Sequence, residues 1–465
     1  MQHESHEEDE KESLDEGFAS SVLNTAAKSF VPPRSTIENC KTMFREQIET
    51  SRRTPLIITL VAGFLAFAGV ITNARAQDPK NPSAMAQNID AIFAPLVTAN
   101  SPGVAVLVAK DGKQLFERGY GVRDLHSAAK IDSHTNFRLA SCSKQFTAMA
   151  IMLLVHDGKL RYDQKLTGVF PEFPAYGKSI SIRNLLNHTA GLQDYETLME
   201  QAGTKVKWTD DHQIQDAEVL TLLEQTDRGM FAPGTQWYYS NSGYVVLSLI
   251  VAKVSGQSFP EFLHQRIFAP LQMNNTIAYV KDKNEITNRA YGHTKEGNTW
   301  KQTDQSSTSA TLGDGGIYSS LEDLAKWDEA LRTNRLLSKE EMQPALTPVT
   351  LPATTENGDT QPRFPANSDR PEGTPVSYGF GWFLDPYHTH PRMWHYGETM
   401  GFHSYIVRFA ADKPTTNQAR KADVVNDRLA GVTIIVLCNR TDIGPESLAL
   451  KIANLFLAHQ NQIEF

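Results

Sequence analysis

The chain has 465 residues, of which 40% are hydrophobic and 9% aromatic, and its formal net charge at pH 7 is −8. This length is ample for one large core or two closely packed subdomains, and an acidic chain with no basic cluster on a candidate helix argues against nucleic-acid binding. Three cysteines allow one disulfide at most, which excludes a dense disulfide framework.

The amino-terminal part has a composition that cannot form a core. Residues 4–16 contain eight acidic side chains, and such a composition predicts disorder. We assign residues 1–54 to this acidic tail. A start at Met43 is an alternative, in which case residues 1–42 are an over-extended reading frame.

Residues 55–76 have the parts of a secretory signal. An arginine pair precedes the apolar run 56–71, and the small-residue pattern ARA follows it. This pattern predicts cleavage before Gln77 and a periplasmic or secreted protein. The alternative is an uncleaved anchor, in which residues 55–72 contact the membrane and the domain faces outside the cytoplasm.

Residues 85–465 predict one domain with strands at both ends. Two β-rich runs flank Asp111-Gly112, a strong signal for a tight hairpin, and residues 404–409 and 431–439 predict two further strands. Between these ends the pattern is helical, and a last amphipathic helix closes the chain. The predicted internal helices are 141–157, 180–187, 216–225, 242–254, 259–267 and 321–332. Strands around a helical insert predict an α+β fold, in which helices flank an antiparallel sheet and a mainly helical subdomain is inserted.

A buried helix that begins with a serine and a lysine is the first candidate for chemistry. In RLASCSKQFTAMAIMLLVHDGKL (138–160), Ser141 stands at the start and Lys144 follows one turn later. A helix N-terminus favours a developing alkoxide, and burial lowers the pKa of a lysine so that its neutral form can activate a serine. The structural alternative makes Ser141 an N-cap and lets Lys144 extend outwards to solvent. A second Ser-x-x-K, from Ser127 to Lys130, precedes no apolar run and predicts a solvated turn.

Tyr239-Ser240-Asn241 stands just before a second apolar helix. A tyrosine whose pKa is lowered by a neighbouring cation can take the serine proton and later activate water. Asn241 can hold both Lys144 and a substrate amide. The structural alternatives are a packed interface aromatic for Tyr239 and a turn-forming residue for Asn241.

His395-Tyr396-Gly397 leads towards a predicted strand. Gly397 would let a substrate lie close to an exposed strand edge. The backbone N–H of the next residue, Glu398, can join the N–H of Ser141 in an oxyanion hole.

Four histidines lie within sixteen positions and suggest a metallohydrolase as an alternative: His388, His390, His395 and His403. No His-Glu-x-x-His helix and no nearby carboxylate set completes such a site, and no Gly-x-Ser-x-Gly elbow supports an α/β-hydrolase. We therefore predict neither a metal nor another cofactor.

The three motifs, in this order, resemble those of the serine β-lactamase and penicillin-recognising enzyme superfamily, in its class C-like branch. That branch includes D-alanyl-D-alanine carboxypeptidases, D-aminopeptidases and esterases. The resemblance runs from about Ala94 to Leu457 and includes FRLASCSKQFTAMAI, IRNLLNHTAGLQDY, GDGGIYSSLEDLAKW and VTIIVLCNRTD. It implies a β-lactamase/transpeptidase-like fold.

The resemblance also implies a role for each candidate residue. Ser141 would attack the substrate carbonyl and carry the acyl group, while Lys144 and Tyr239 share the general-base work and Tyr239 protonates the leaving group. Asn241 would orient the substrate amide. His395 stands where class C β-lactamases carry the lysine of a Lys-Thr-Gly triplet, which this chain lacks. Because a histidine is charged over only part of the physiological range, it would be a softer partner for a β-lactam carboxylate.

These observations predict an exported serine hydrolase that acts through an acyl-enzyme on the amide or ester carbonyl of a small molecule or peptide, as D-amino-acid peptidases and esterases do. The alternatives are a class C-like β-lactamase and a catalytically silent penicillin-binding sensor. We expect detectable short-chain ester hydrolysis and slow or absent β-lactam turnover. Residues 410–430 are predicted to form a hairpin loop longer than is usual in the family. We expect it to be decoration, and a lid or a contact surface is the alternative.

Overall fold

The structure is a computed structural model that describes residues 84–203, 207–352, 361–364, 373–410 and 428–458. The predicted acidic tail, the export signal and its cleavage site lie outside these residues, as does most of the 410–430 loop. All the described residues belong to one compact unit. In this part of the chain, no helix is both long and apolar enough to span a bilayer.

The elements follow one another along the chain in four groups. The first group is α1 (Ala84–Phe93), β1 (Val104–Lys110), β2 (Lys113–Tyr120), β3 (Phe137–Arg138), a 3₁₀ turn (Ala140–Ser143) and α2 (Lys144–His156). The second is helical, with α3 (Ile182–Leu186), α4 (Tyr195–Ala202), α5 (Asp216–Glu224), α6 (Asn241–Ser255) and α7 (Phe259–Leu263), which a π turn (His264–Phe268) continues. The third is β4 (Ile277–Ala278), β5 (His293–Glu296), β6 (Thr299–Gln302), β7 (Ile317–Ser319), α8 (Leu321–Arg332) and α9 (Lys339–Met342). The last is β8 (Pro386–Tyr387), β9 (His390–Thr399), β10 (Phe402–Phe409), β11 (Val432–Cys438) and α10 (Pro445–Ala458).

Six strands form the central antiparallel sheet, in the order β2-β1-β11-β10-β9-β8. The β1–β2 hairpin turns at Asp111 and Gly112, whose φ angles of 51° and 79° suit a two-residue hairpin turn. The inner strand β1 is buried on both faces: Leu107 belongs to the hydrophobic cluster with α2 and α8, and Val106 to the cluster with α1 and α10. Helices therefore cover both sides of the sheet.

The helical subdomain packs around two largely buried helices, α2 and α6. In α2 the eleven consecutive residues 144–154 are buried, and α6 packs against them. Helices of this kind lie inside large cores. Gly158 after α2 and Gly256 after α6 have φ angles of 69° and 75°, the left-handed conformation in which helices commonly end.

The predicted α+β fold is confirmed, and so is the hairpin. The two strands predicted near the carboxyl end are β10 and β11, and the predicted internal helices are present with ends that shift by a few residues. The sequence patterns missed α1, α4 and α9. The motif predicted to lead towards a strand lies inside β9 itself. The first turn of the predicted 141–157 helix is a 3₁₀ turn, so the α-helix starts at Lys144 rather than at Ser141.

Candidate active site

Ser141 lies in the 3₁₀ turn before α2, half-buried at the wall of a cavity. Ala140 before it has a φ of 47°, which is uncommon for a residue with a side chain and marks local strain. The N-cap of α2 is Ser143, and among the described residues no side chain caps this helix through a hydrogen bond. The alternative in which Ser141 serves as an N-cap is therefore wrong.

Strand β9 packs directly on the turn that carries Ser141. A Cβ atom at Gly397 would lie 2.0 Å from the Leu139 carbonyl oxygen, so only a glycine lets the strand approach this closely. The Cys142 thiol donates to the His395 carbonyl across the same contact, at 3.3 Å. A glycine is therefore needed at position 397 for packing against the turn, whereas the sequence-based prediction explained it by the approach of a substrate.

Lys144 is fully buried and points into the site, so the alternative of a lysine that extends to solvent is wrong. Its Nζ contacts Ser141 Oγ at 3.1 Å, Asn241 Oδ1 at 2.8 Å and the Asp314 carbonyl oxygen at 2.9 Å. Burial lowers the pKa of Lys144 to about 8, although the negative charge of Asp314 opposes this shift. The three oxygens match the three N–H groups of the ammonium form, with Nζ donating to each of them. Because its pKa is about 8, the amine loses one proton readily, and the lone pair that appears can face the Ser141 hydroxyl while two N–H groups stay bonded to Asn241 and Asp314.

Tyr239 lies beside this pair, with its ring centroid 4.9 Å from Lys144 Nζ. Its hydroxyl is buried, and no described residue offers it a well-aligned hydrogen bond. Burial raises the pKa of Tyr239 well above 10 and outweighs the neighbouring Ser141 hydroxyl, which favours the phenolate. The prediction of a lowered tyrosine pKa is therefore wrong for this structure. A phenol with a raised pKa keeps its proton at neutral pH and can donate it, whereas the lowered pKa of Lys144 makes its neutral form accessible.

The start of α6 places Tyr239 and Asn241 on either side of a capping residue. Ser240 is the N-cap, and its hydroxyl accepts from the Gly243 N–H at 3.1 Å. Asn241 is the first helical residue, and its side-chain oxygen accepts from Lys144. Its side-chain nitrogen has no hydrogen-bond partner among the described residues, so it is available to a substrate carbonyl at the cavity that Asn241 lines.

His395 is fully buried in β9, and its imidazole makes two hydrogen bonds within the protein. Its Nδ1 lies 2.6 Å from the Tyr396 carbonyl oxygen and must donate to it, which leaves Nε2 to accept from the Tyr378 hydroxyl at 3.2 Å. Burial, together with the nearby charge of Lys144, lowers the pKa of His395 to about 3. The expectation that this histidine is charged over part of the physiological range is therefore wrong, because it is neutral throughout that range.

Ser141 and Glu398 line the same cavity, which has a volume of about 70 Å³. An oxyanion hole made by their two backbone N–H groups requires this proximity. The Glu398 carboxylate lies 3.3 Å from His403 Nε2 and is largely exposed. A second cavity of about 290 Å³ also includes Glu398 and extends past His403 to the start of α10.

Two acidic residues of the small cavity were not predicted from the sequence. Asp314 is 6% exposed, and its Oδ2 accepts from the Tyr195 hydroxyl at 3.3 Å, whereas Oδ1 is buried without a donor among the described residues. Glu196 lies in the first turn of α4. Glu196 is exposed at the rim of this cavity, yet partial loss of water around its carboxyl group, with repulsion from Asp194 and Asp314, raises its pKa to about 7. Both residues lie in or beside segments that carry the family resemblance, but no local pattern predicts that they meet.

The competing sites do not assemble in the described part of the chain. Ser127 is exposed and donates to Asp124 at 2.6 Å, while Lys130 donates to the Ala99 carbonyl. No group of three or more histidine, cysteine or acidic side chains among the described residues could hold a metal ion.

Comparison with known proteins gives matches that extend over most of the chain. The beta-lactamase family matches residues 89–458. The chain is 31% identical to penicillin-binding protein 4* of Bacillus subtilis over 344 residues, which are 71% of this chain and 70% of that protein. It is 30% identical to the putative penicillin-binding protein PbpX of Bacillus subtilis over 246 residues, 53% of this chain and 59% of the relative. The chain thus spans less than two thirds of the length of PbpX.

Solved structures share the fold at lower identity. The octameric penicillin-binding protein homologue from Pyrococcus abyssi has a TM-score of 0.61 at 23% identity, over 80% of this chain and 76% of that one. D-amino acid amidase from Ochrobactrum anthropi, solved with L-phenylalanine amide, has a TM-score of 0.61 at 24% identity, over 81% and 96% of the two chains. The predicted β-lactamase/transpeptidase-like fold is confirmed by these likenesses.

Proposed function

The chain belongs to the beta-lactamase family, and on that basis we propose that it is a serine hydrolase for amide and ester substrates that carry a free ammonium group, such as amino-acid amides and short peptides. The reaction passes through an acyl-enzyme on Ser141. One observation carries the substrate class: Glu196 and Asp314 line the same cavity as the nucleophile.

Acylation begins with Lys144 as the base. Its lone pair takes the Ser141 proton across the 3.1 Å contact while its two N–H groups remain bonded to Asn241 and Asp314. The serine oxygen attacks the substrate carbonyl, and the negative oxygen that forms is stabilised by the backbone N–H groups of Ser141 and Glu398. Asn241 orients the substrate through its free side-chain nitrogen.

The leaving group takes its proton from Tyr239. Because its pKa is raised, the phenol is protonated when the tetrahedral intermediate collapses and can donate to the departing nitrogen. The Lys144 ammonium then returns a proton to the phenolate. In deacylation a water molecule occupies the place of the leaving group, and Lys144 takes one proton from it as its oxygen attacks the acyl carbon. The bond between that carbon and Ser141 Oγ then breaks, the acid product leaves, and the Lys144 ammonium returns the proton to Oγ.

The acids at the cavity favour a cationic substrate group. Asp314 Oδ1 is a buried carboxylate oxygen without a donor among the described residues, and an ammonium group can supply the missing hydrogen bonds. Glu196, with its pKa raised to about 7, is ionised in an increasing fraction of molecules as the pH rises through neutrality. Arg138 also lines this cavity and keeps its positive charge, but both of its terminal nitrogens donate to Ser309, and the acidic side chains Glu196, Asp314 and Glu398 outnumber it.

The same charges disfavour β-lactams. A penicillin carboxylate would approach Glu196 and Asp314, and the neutral His395 offers it no positive charge. We therefore expect slow or absent turnover of nitrocefin, although acylation of Ser141 by a β-lactam remains compatible with the geometry.

A substrate panel tests the proposal. We expect an amino-acid p-nitroanilide with a free amine to be hydrolysed with a kcat/KM at least about tenfold higher than its N-acetyl counterpart, since the acetyl group removes the charge. Glu196→Gln lowers that preference, whereas Glu200→Gln, an exposed change on the same helix, leaves it unchanged. Efficient nitrocefin turnover without an amine preference would instead establish a β-lactamase.

Export remains part of the proposal and rests on residues 55–76 alone. The mass of the intact protein recovered from cells reports the mature amino terminus, and a mass that begins at Gln77 supports cleavage. A second measurement after incubation with a β-lactam reports the acyl-enzyme. A full-length mass would contradict cleavage and favour the anchor.

A further inference from the structure

His188 is a buried histidine for which the mechanism above has no role. It follows the end of α3, is 1% exposed and has a φ of 63°. A non-glycine residue keeps such a conformation only where its surroundings hold it. What surrounds His188 is the segment that carries Tyr239.

Two hydrogen bonds join His188 to the backbone on either side of Tyr239. The His188 carbonyl accepts from the Tyr238 N–H at 3.0 Å, and its ring Nδ1 accepts from the Ser240 N–H at 3.1 Å. Because Nδ1 is an acceptor, the ring proton lies on Nε2 and the imidazole is neutral. Burial lowers the pKa of His188 well below its usual range, and the charge of Lys144 adds to this effect.

The imidazole also packs on the ring of Tyr239, with 4.5 Å between the ring centroids and 37° between the planes. Tyr244 and Tyr378 contact His188 at centroid distances of 5.1 and 4.6 Å. Since the Tyr239 hydroxyl has no well-aligned partner among the described residues, the direction of the phenol depends on its backbone and on ring packing. His188 contributes to both.

We propose that His188 is a positioning residue that holds Tyr239 in line with the leaving group, chiefly through the hydrogen bond from the Ser240 N–H to its Nδ1. The inference rests on the proposed function, because it concerns the proton that Tyr239 gives to the departing amine. A misplaced phenol slows the cleavage of an amide, whose amine must be protonated. It slows a p-nitrophenyl ester much less, because p-nitrophenolate leaves without a proton.

Three substitutions separate the two contacts. His188→Asn keeps an acceptor oxygen and tolerates the left-handed conformation, His188→Phe keeps a ring but has no acceptor, and His188→Ala removes both. We expect His188→Asn to remain within about threefold of the wild type for amide and ester, and His188→Phe and His188→Ala to lose about 10- to 100-fold in kcat for the amide. The loss for the p-nitrophenyl ester is at most about threefold, and KM changes little. His126→Phe, an exposed change, is the matched control.

The ratio of amide to ester activity decides the outcome. An equal loss of both activities in His188→Phe or His188→Ala, or a ratio that falls about tenfold in His188→Asn, overturns the proposal. If His188→Phe does not fold, His188→Ala and His188→Asn give the same decision. A wild-type protein that cleaves esters but no amide contradicts the proposed function instead. The positioning role is then tested with a methyl ester against the p-nitrophenyl ester, since methoxide also needs a proton to leave.

Discussion

The chain contains the Ser-x-x-K spacing twice, and the two copies differ in almost everything except that spacing. Both stand beside an alanine with a positive φ, 53° at Ala128 and 47° at Ala140. Ser127 and Lys130 are exposed, and each bonds to a residue outside the pair. Backbone strain and motif letters are therefore shared by a solvated turn and by the candidate nucleophile.

The buried copy differs through what surrounds the lysine. Lys144 is enclosed at the start of an apolar helix, its pKa falls to about 8, and its amine contacts Ser141. Water cannot compete for a lysine in such a place, so its partners and its protonation state are set by the protein. The comparison teaches that this motif becomes chemically competent only where the core removes the amine from solvent.

The largest expected effect comes from removing each serine in turn. Ser141→Ala should lower kcat by about 10⁴-fold or more and abolish labelling by a fluorescent penicillin or a fluorophosphonate, because no nucleophile remains. Ser127→Ala should leave both kcat and labelling unchanged. Equal labelling of the two variants contradicts the assignment of Ser141.

Removing each lysine sharpens the same comparison. Lys144→Met retains a long apolar side chain but loses the base, and we expect kcat to fall by about 10³-fold. Lys130→Met should change kcat by less than about twofold, because its amine is solvated at the surface. Steady-state kinetics on a p-nitrophenyl ester measures kcat for both variants. Similar losses of kcat would show that burial does not distinguish the two lysines.

A smaller effect is expected from disturbing the packing of the buried turn. Gly397→Ala puts a Cβ atom 2.0 Å from the Leu139 carbonyl, so β9 and the turn must separate, and kcat should fall by about 10- to 100-fold. Gly158→Ala at the far end of α2 is the control, because nothing lies within 4 Å of its Cβ. The left-handed backbone there makes that change cost about 1 kcal/mol of stability without affecting kcat. Thermal unfolding and kinetics separate the two outcomes.

The smallest expected effect, about tenfold for a change of one pH unit, is the pH dependence of the buried amine. Because Lys144 acts in its neutral form and its pKa is lowered to about 8, kcat/KM for an ester without an amino group should fall about tenfold for each pH unit below that value and level off above it. The unfolded chain binds the lysine proton more tightly, so the stability contribution of Lys144 rises between about pH 8 and 10.5. A pH–rate profile that is flat between about pH 6 and 9 would contradict a lysine base.

Much of the fold was predictable because its signals are local. The hairpin at Asp111-Gly112 and the buried helices α2 and α6 follow from turn residues and continuous apolar runs. The missed helices α1 and α4 are only ten and eight residues long, and each buries three residues. These residues have helical spacing, but over so short a stretch the spacing was not recognised. In β9 the residues 395–398 do not alternate between apolar and polar, so the strand could not be recognised around His395.

The candidate site was predictable in part. The two apolar helices placed Ser141, Lys144 and Asn241 at helix starts. In the structure Lys144 lies within hydrogen-bond distance of both Ser141 and Asn241, while the roles of all three stay predictions. Asp314 and His188 carried no signal, because an acid in a glycine-rich turn and a histidine after a helix are ordinary in sequence. Their significance comes from contacts with residues far away along the chain.

The sequence by itself determined the order of the elements and the residues that stand at their ends, since hydrophobic period and turn chemistry act over a few positions. Only the tertiary structure decided the protonation states. The pKa of Lys144 falls to about 8, Tyr239 keeps its proton, and His395 carries no charge. These shifts depend on how completely distant segments exclude water from each group, and burial of that kind is a property of the packed molecule rather than of any short stretch of the chain.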